Sequence, residues 1–357
     1  MHLSSCLLFF LPSLACAWAP PAISGYNLVW SDSFAGQGGT SPSGSTWNIR
    51  NDNNVANNEW QDFRSSTRNV QLSGGNTLQI VPWRENATRM GWTSGRLESW
   101  YTFTPQAGKR TIVQAAISFG KNPTSAKKGI WPAFWLLGDP IRQPGGPGWP
   151  ACGELDIMEQ VNGDMWGHGT AHCQGYCNSN PGTGRTNKIA IPDNNFHTWQ
   201  IVIDRTGNDW WWDTITWYMD GRQFHRIQGQ DMTGPGWSAF NALTNTPMFI
   251  ILNVAVGGDW VCSVSLLMSE VLTCVLICPL PTARPPQWPN WGRLRLHDGG
   301  RIRRSLCFAV SLNLSLLLIC PSSLSFIQDI SFFEAHALPL PTPFFSLVNI
   351  TILWHYP

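Results

Sequence analysis

From Tyr26 to about Trp260 the chain alternates short apolar runs with clusters of Gly, Pro, Asn and Asp, and no stretch sustains a helical period. The runs Asn69 to Val81, Thr111 to Phe119, Trp199 to Ile203 and Thr214 to Met219 predict strands. The pair Asp220-Gly221 that follows the last of them is a two-residue hairpin turn. Strands in such number suit one large all-β sandwich, in which two antiparallel sheets pack face to face and each buries one side.

The two ends of the chain read differently. An apolar run from Leu7 to Leu14 leads into the small-residue pattern Ala15-Cys16-Ala17. Residues 1–17 are therefore expected to be a secretory signal peptide cleaved before Trp18, although His2 is the one basic residue ahead of the run. The run is too short to span a bilayer, so no stable membrane insertion is expected and the protein should reach the extracellular space or the cell wall. Beyond Val261, Lys disappears, Cys, Leu and Ser dominate, and Ser305 to Cys320 lacks strand alternation. A membrane or lipid anchor, a disulfide-rich appendage and a translated segment foreign to the native C-terminus all compete for this region. The third is preferred: Glu270 interrupts the first apolar stretch, while Pro339, Pro341 and Pro343 break the last. The ending Leu353-Trp-His-Tyr-Pro357 also suits a cleaved lipid-anchor signal poorly. The main domain is thus bounded at 18–260, and 261–357 is expected to be a non-native or disordered tail.

Composition narrows the class of partner. Charged residues make up 13% of the chain, about half the usual share, and the net charge is +1 with no basic stripe. Such a surface cannot neutralise a phosphate backbone, which argues against nucleic acid. Aromatic residues reach 12% and include 21 Trp. Most of these should fill the core, and the remainder suit stacking on the flat faces of sugars. If the protein is secreted, Asn86-Ala87-Thr88 becomes a usable glycan acceptor.

The segment Trp149-Pro-Ala-Cys-Gly-Glu154-Leu-Asp156-Ile-Met-Glu159 places acids inside an apolar run, where unpaired charge is costly. Strand alternation puts Glu154 and Asp156 on one face and sends Glu159 to the other, unless a one-residue bulge around Ile157-Met158 brings it back. Three carboxyls on one face repel and desolvate each other, so that one keeps its proton while another stays ionised. That is the requirement of a glycosidase's pair of carboxyls, which stand roughly 5 to 5.5 Å apart in a retaining enzyme and about 6.5 to 9.5 Å apart in an inverting one, a distance that sequence does not measure. By pattern alone, a solvated acidic face or a cation site of three carboxylates fits equally well.

These residues resemble a known family. Glu154-Leu-Asp156-Ile-Met-Glu159 is similar to the E-x-D-x-x-E signature of glycoside hydrolase family 16 in the bulged form of its laminarinase-like members. Around it stand Gly129-Ile-Trp131-Pro-Ala-Phe-Trp135-Leu-Leu-Gly138 and Ile251-Leu-Asn253-Val-Ala-Val-Gly257-Gly-Asp-Trp260. Thr93-Ser-Gly-Arg96-Leu-Glu98-Ser and Phe103-Thr-Pro105 fit as well. The resemblance covers roughly residues 26 to 260 and is nearest to secreted fungal members. It implies a β-jelly-roll with a concave cleft, and endo-hydrolysis of β-1,3 or mixed β-1,3/1,4 glucans with retention, by a monomer without cofactor or metal. Glu154 would be the nucleophile, Glu159 the acid/base and Asp156 the group that tunes the nucleophile. Trp135, Trp149 and Trp260 would stack on sugars, His172 would line the cleft near Glu159, and Arg96, Asn58 and Asn253 would bond sugar hydroxyls. Wall-glucan transglycosylases share the signature, and non-catalytic glucan-binding relatives share the fold.

Two features sit outside this pattern. Cys152, Cys173 and Cys177 are the cysteines of the matched region, with Cys173–Cys177 the shortest candidate bridge and Cys152–Cys173 the alternative. One His and scattered Cys in an oxidising compartment make zinc at His172, Cys173 and Cys177 unfavourable. The family's last strand, of the type Met-x-Val-Asp-Tyr-Val-x-Val-Tyr, is expected to be missing after Trp260, which would leave an unpaired sheet edge.

Overall fold

A computed structural model describes residues 22–175, 177, 184–232, 236–264 and 345–355. In chain order the strands are β1 (Tyr26–Asp32), β2 (Trp47–Ile49), β3 (Gln61–Phe63), β4 (Val70–Leu72), β5 (Leu78–Ile80), β6 (Trp83–Arg84), β7 (Trp92–Ser94), β8 (Arg96–Phe103) and β9 (Arg110–Ser118). They continue as β10 (Ile130–Gly138), β11 (Glu154–Glu159), β12 (Trp166–His172), β13 (Arg185–Ala190), β14 (His197–Asp204), β15 (Thr214–Met219), β16 (Arg222–Gln228), β17 (Met248–Val256) and β18 (Phe345–His355). Helices α1 (Gly236–Thr244) and α2 (Asp259–Val264) flank β17.

Two large antiparallel sheets result, which is the all-β sandwich expected from the alternation. One has the order β16-β15-β14-β9-β18-β5-β4 with β1 added on β18; the other runs β13-β12-β11-β10-β17-β8-β2. A small third sheet joins β3, β7 and β6. The run Asn69 to Val81 is two strands rather than one, because Ser73 to Asn76 turn the chain between β4 and β5. The hairpin at Asp220-Gly221 forms as predicted, both residues having positive φ of 50° and 76°. Between the sheets lies one apolar core holding Phe134, Leu155, Ile157, Met158, Trp199, Trp217 and Ile250, all essentially without solvent contact.

The missing final strand is a correction. Phe345–His355 enters the centre of the larger sheet as β18, pairing along β9 from Ser346↔Ser118 to His355↔Arg110. On its other side it pairs with β1 (Tyr26↔His355 to Asp32↔Ile350) and, at its start, with β5. Ile350, Ile352 and Leu353 are buried. The edge foreseen after Trp260 is therefore filled by residues assigned to the tail: a strand needs local alternation and complementary neighbours, not proximity in sequence, and Ile350-Thr-Ile352 supplies that alternation. Residues 1–17, where a leader is expected, and most of the tail, 265–344, lie outside the described residues.

The sheet bearing the acidic strand is shaped by what lies beneath it. β12 reads Trp166-Gly-His168-Gly-Thr170-Ala-His172, with larger residues on the face away from the core and small ones toward it. A β-carbon on Gly167 would collide with the Trp199 ring, and one on Gly169 with Trp217 and Phe224. Glycine lets β12 lie directly on these indoles, while its edge pairs with β11 and its other face carries His168 and His172 beside the acids.

Candidate active site

β11 carries the bulge that its acids require. Against β10 the register passes from Phe134↔Met158 to Trp135↔Asp156, leaving Ile157 unmatched; against β12 it passes from Asp156↔Thr170 to Glu159↔His168. The extra residue restores Glu159 to the face of Glu154 and Asp156, while Leu155, Ile157 and Met158 point into the core. The Trp217 indole N–H donates to the Asp156 backbone carbonyl at 2.8 Å and pins the strand from below.

The three carboxyls are held in unequal surroundings. Glu159 is buried and accepts a hydrogen bond from Trp131 Nε1 at 3.0 Å. Asp156 is buried, and its Oδ2 lies 3.4 Å from His172 Nε2 with no hydrogen bond of its own among the described residues. Glu154 keeps the most solvent contact, its side chain 13% exposed, with Oε1 3.8 Å from the same imidazole nitrogen. Burial, and after it the charge of Asp156, push Glu154 and Glu159 well above the usual carboxylate range. Burial pushes Asp156 up to about 8. At neutral pH such a cluster holds protons on some members while another is ionised, which separates an acid from a nucleophile. Glu154, Asp156 and His172 each offer an atom within 4.8 Å of the others, a spacing that could hold a cation.

A stability prediction follows from the sign of these shifts. The folded chain keeps a proton on Asp156 that the unfolded chain releases above about 3.8, so this carboxyl favours folding fully below that pH and the contribution is lost as pH rises through about 8. Asp156→Asn should flatten the decline of Tm between pH 5 and 9 (roughly spanning the two limits). Parallel Tm–pH curves for parent and variant would contradict the buried, protonated Asp156.

Trp149 stands 5.5 Å from the His172 ring and is 44% exposed, at the Glu154 end. Trp135, opposite Asp156, donates its indole N–H to Asn253 Oδ1 at 2.7 Å, and the Arg96 guanidinium lies over its ring at 4.9 Å. These three form one patch, and Arg96 also donates to the buried Glu98 at 2.8 Å. Trp260, on α2, packs edge-on against Trp131 and His168 at 5.1 Å from each, beside Glu159. Asn58 departs from its expected role: its amide donates to both Asp259 carboxylate oxygens at 2.9 and 3.0 Å, tying its loop to α2. His172 sits opposite Glu154 in register and its charge also acts on Glu159; the bulge places His168 directly opposite Glu159.

Three further residues of the site were not singled out in the sequence. Trp131 and His168 carried a signal, since alternation back from Trp135 and His172 places both on the carboxyl face. Glu59 carried none. It is buried in a loop, bonded by Gln61 Nε2 at 2.6 Å and raised above its ordinary value by burial, and its charge acts on Glu159. Cys173 and Cys177 form the disulfide, so the Cys152–Cys173 alternative is not realised and neither sulfur is free for zinc; Cys152 is a buried free thiol.

Comparison with known proteins agrees with this geometry. Residues 57–267 match the profile of "Glycosyl hydrolases family 16". The chain is 31% identical over 245 residues to the "Beta-glucanase" of Rhodothermus marinus, covering 66% of this chain and 77% of that protein. It is 30% identical to "Glucan endo-1,3-beta-glucosidase A1" of Niallia circulans over 67% of this chain and 35% of that protein, so it spans about a third of the latter's length. Among solved structures, the endo-1,3-beta-glucanase of Streptomyces sioyaensis superposes with a TM-score of 0.67 at 25% identity, over 95% of this chain and all of that one.

Proposed function

Since this chain belongs to glycosyl hydrolases family 16, we propose that it is a secreted, monomeric endo-hydrolase of β-1,3 or mixed β-1,3/1,4 glucans acting by retaining double displacement. The observation that carries this reading is the bulged strand β11, which turns Glu154, Asp156 and Glu159 to one face beside indole rings. In the first step the Glu154 carboxylate attacks the anomeric carbon, the glycosidic C–O bond breaks, and the Glu159 proton passes to the departing oxygen. In the second, Glu159 takes a proton from water, whose oxygen attacks the anomeric carbon and releases Glu154. Asp156, its carboxyl raised by burial, is read as the neighbour that tunes the nucleophile.

Trp135 with Arg96 and Asn253 is read as one sugar platform, and Trp149 and Trp260 as platforms on either side of the carboxyls. Export is read from the leader at 1–17; an exposed Asn86 and the Cys173–Cys177 disulfide are compatible with it. Affinity to fungal members rests on the sequence resemblance alone. Incubation with laminarin and with mixed-linkage glucan should release oligosaccharides from at least one, with β anomers formed first. Folded protein that releases none from either would remove the reading, and α anomers would remove retention. Transfer to an acceptor glucan in preference to water would make it a transglycosylase.

A further inference from the structure

Exposed apolar surface on this protein is unusually uniform. Among the described residues the large apolar side chains with substantial exposure are Leu28 and six tryptophans. Three of these, Trp211, Trp212 and Trp237, lie on the β14–β15 connection and on α1, segments that contribute no side chain to the carboxyl cluster. They are 42%, 57% and 51% exposed. Trp211 and Trp237 meet at one partly buried anchor, Trp210, which packs on the core: its ring lies 5.6 Å from Trp211, 6.5 Å from Trp237 and 6.1 Å from the buried Phe240. Trp212 follows directly in the same short helical turn, which Asp209 caps by accepting from the Trp211 backbone N–H.

Solvating three indoles at one place is costly, and a patch of this kind marks a binding surface. Its chemistry narrows the occupant. Among the described residues the large exposed apolar groups of this patch are all indoles, which offer flat faces for stacking. Exposed polar neighbours in these segments include Asn208, Asp209 and Gln230, groups that bond hydroxyls, while the nearby Arg226 and Arg205 guanidinium groups are engaged by Gln228 and Asp213. Rigid indole faces with amide and carboxylate neighbours suit the C–H face and the hydroxyls of a neutral pyranose. We propose that Trp211, Trp212 and Trp237 form a second, non-catalytic platform that holds a β-glucan chain to the enzyme away from the reacting carboxyls. This inference rests on the β-glucanase reading above.

The test separates the two. In a Glu154→Gln background, so that polymer is not consumed, depletion onto insoluble β-1,3-glucan particles is measured with and without Trp212→Ala/Trp237→Ala. The double change should weaken particle binding by about tenfold or more, and Trp212→Phe/Trp237→Phe should recover most of it. In the otherwise unmodified enzyme, kcat/KM on a short soluble β-1,3-gluco-oligosaccharide should stay within about twofold, as for distant sites. Unchanged particle binding by an active enzyme overturns the platform and leaves the glucanase standing. An equal loss on the short substrate also overturns it, by placing these indoles in the catalytic machinery, as does dissociation of a dimer with particle binding intact. Inactivity of the unmodified enzyme on the short substrate brings down the glucanase reading and the platform with it.

Discussion

Glu159→Gln should lower kcat on unactivated glucan by about 10²–10⁴, the share that positioned proton transfer contributes, and Glu154→Gln should fall at least as far because no covalent intermediate can form. Binding of glucan should persist in both, since Trp135, Trp149 and Trp260 are untouched. The roles separate with azide and an activated aryl glycoside, whose leaving group needs no proton. When Glu159 is shortened to Ala, azide can replace the base-assisted water at the glycosyl-enzyme, so turnover recovers and the product is a β-glycosyl azide after two inversions. With Glu154→Ala, azide must attack the substrate itself and gives the α-azide after one. Interchanged products would exchange the two assignments, and failure of azide to rescue either variant would argue against both. Glu159 is the better acid on structural grounds, being the more buried of the two; burial outweighs the Trp131 hydrogen bond, which by itself favours the ionised form.

Removing residues 345–355 should abolish the folded protein. Among the described residues β18 is the sole partner of β1, and it joins β9 to β5, so its loss leaves three strands with open edges at the centre of the larger sheet. Ile350 and Ile352 have no solvent contact. Truncating either to Ala should cost about 2–5 kcal/mol, against a total stability of about 5–15 kcal/mol for a domain. Ile352→Ala is therefore expected to lower Tm measurably, and the full deletion to yield aggregated chain. Replacing residues 265–344 by a flexible linker, with β18 kept, should preserve glucanase activity if that segment is not a working part of the enzyme. A deletion of 345–355 that still melts cooperatively at the parental temperature would show that β18 does not complete the sheet. Sequencing the transcript across the codons for 255–285 would establish whether the intervening segment belongs to the mature message.

Much of this protein is decided by local pattern. Alternation and turn residues sufficed for the sandwich, for β9, β14 and β15 and for the Asp220-Gly221 hairpin, because a strand's faces repeat every two residues wherever it lies. The acids of β11 and the need for a bulge at Ile157-Met158 were equally legible, since buried charge in an apolar strand is too costly to be incidental. Other matters were settled only by tertiary structure, because they depend on which strands become neighbours. The disposition of His168 and His172 opposite Glu159 and Glu154 depends on inter-strand register, and the burial of Glu59 near Glu159 depends on a loop crossing over the sheet. Asn58 became a tie to Asp259 through a contact spanning 201 residues. Above all, the closing strand was invisible after Trp260 because its eleven residues are separated from the domain by a stretch of different composition. What identifies β18 is the vacancy between β9 and β5 that its backbone hydrogen bonds and buried isoleucines fill, and that vacancy exists only once the two sheets have formed.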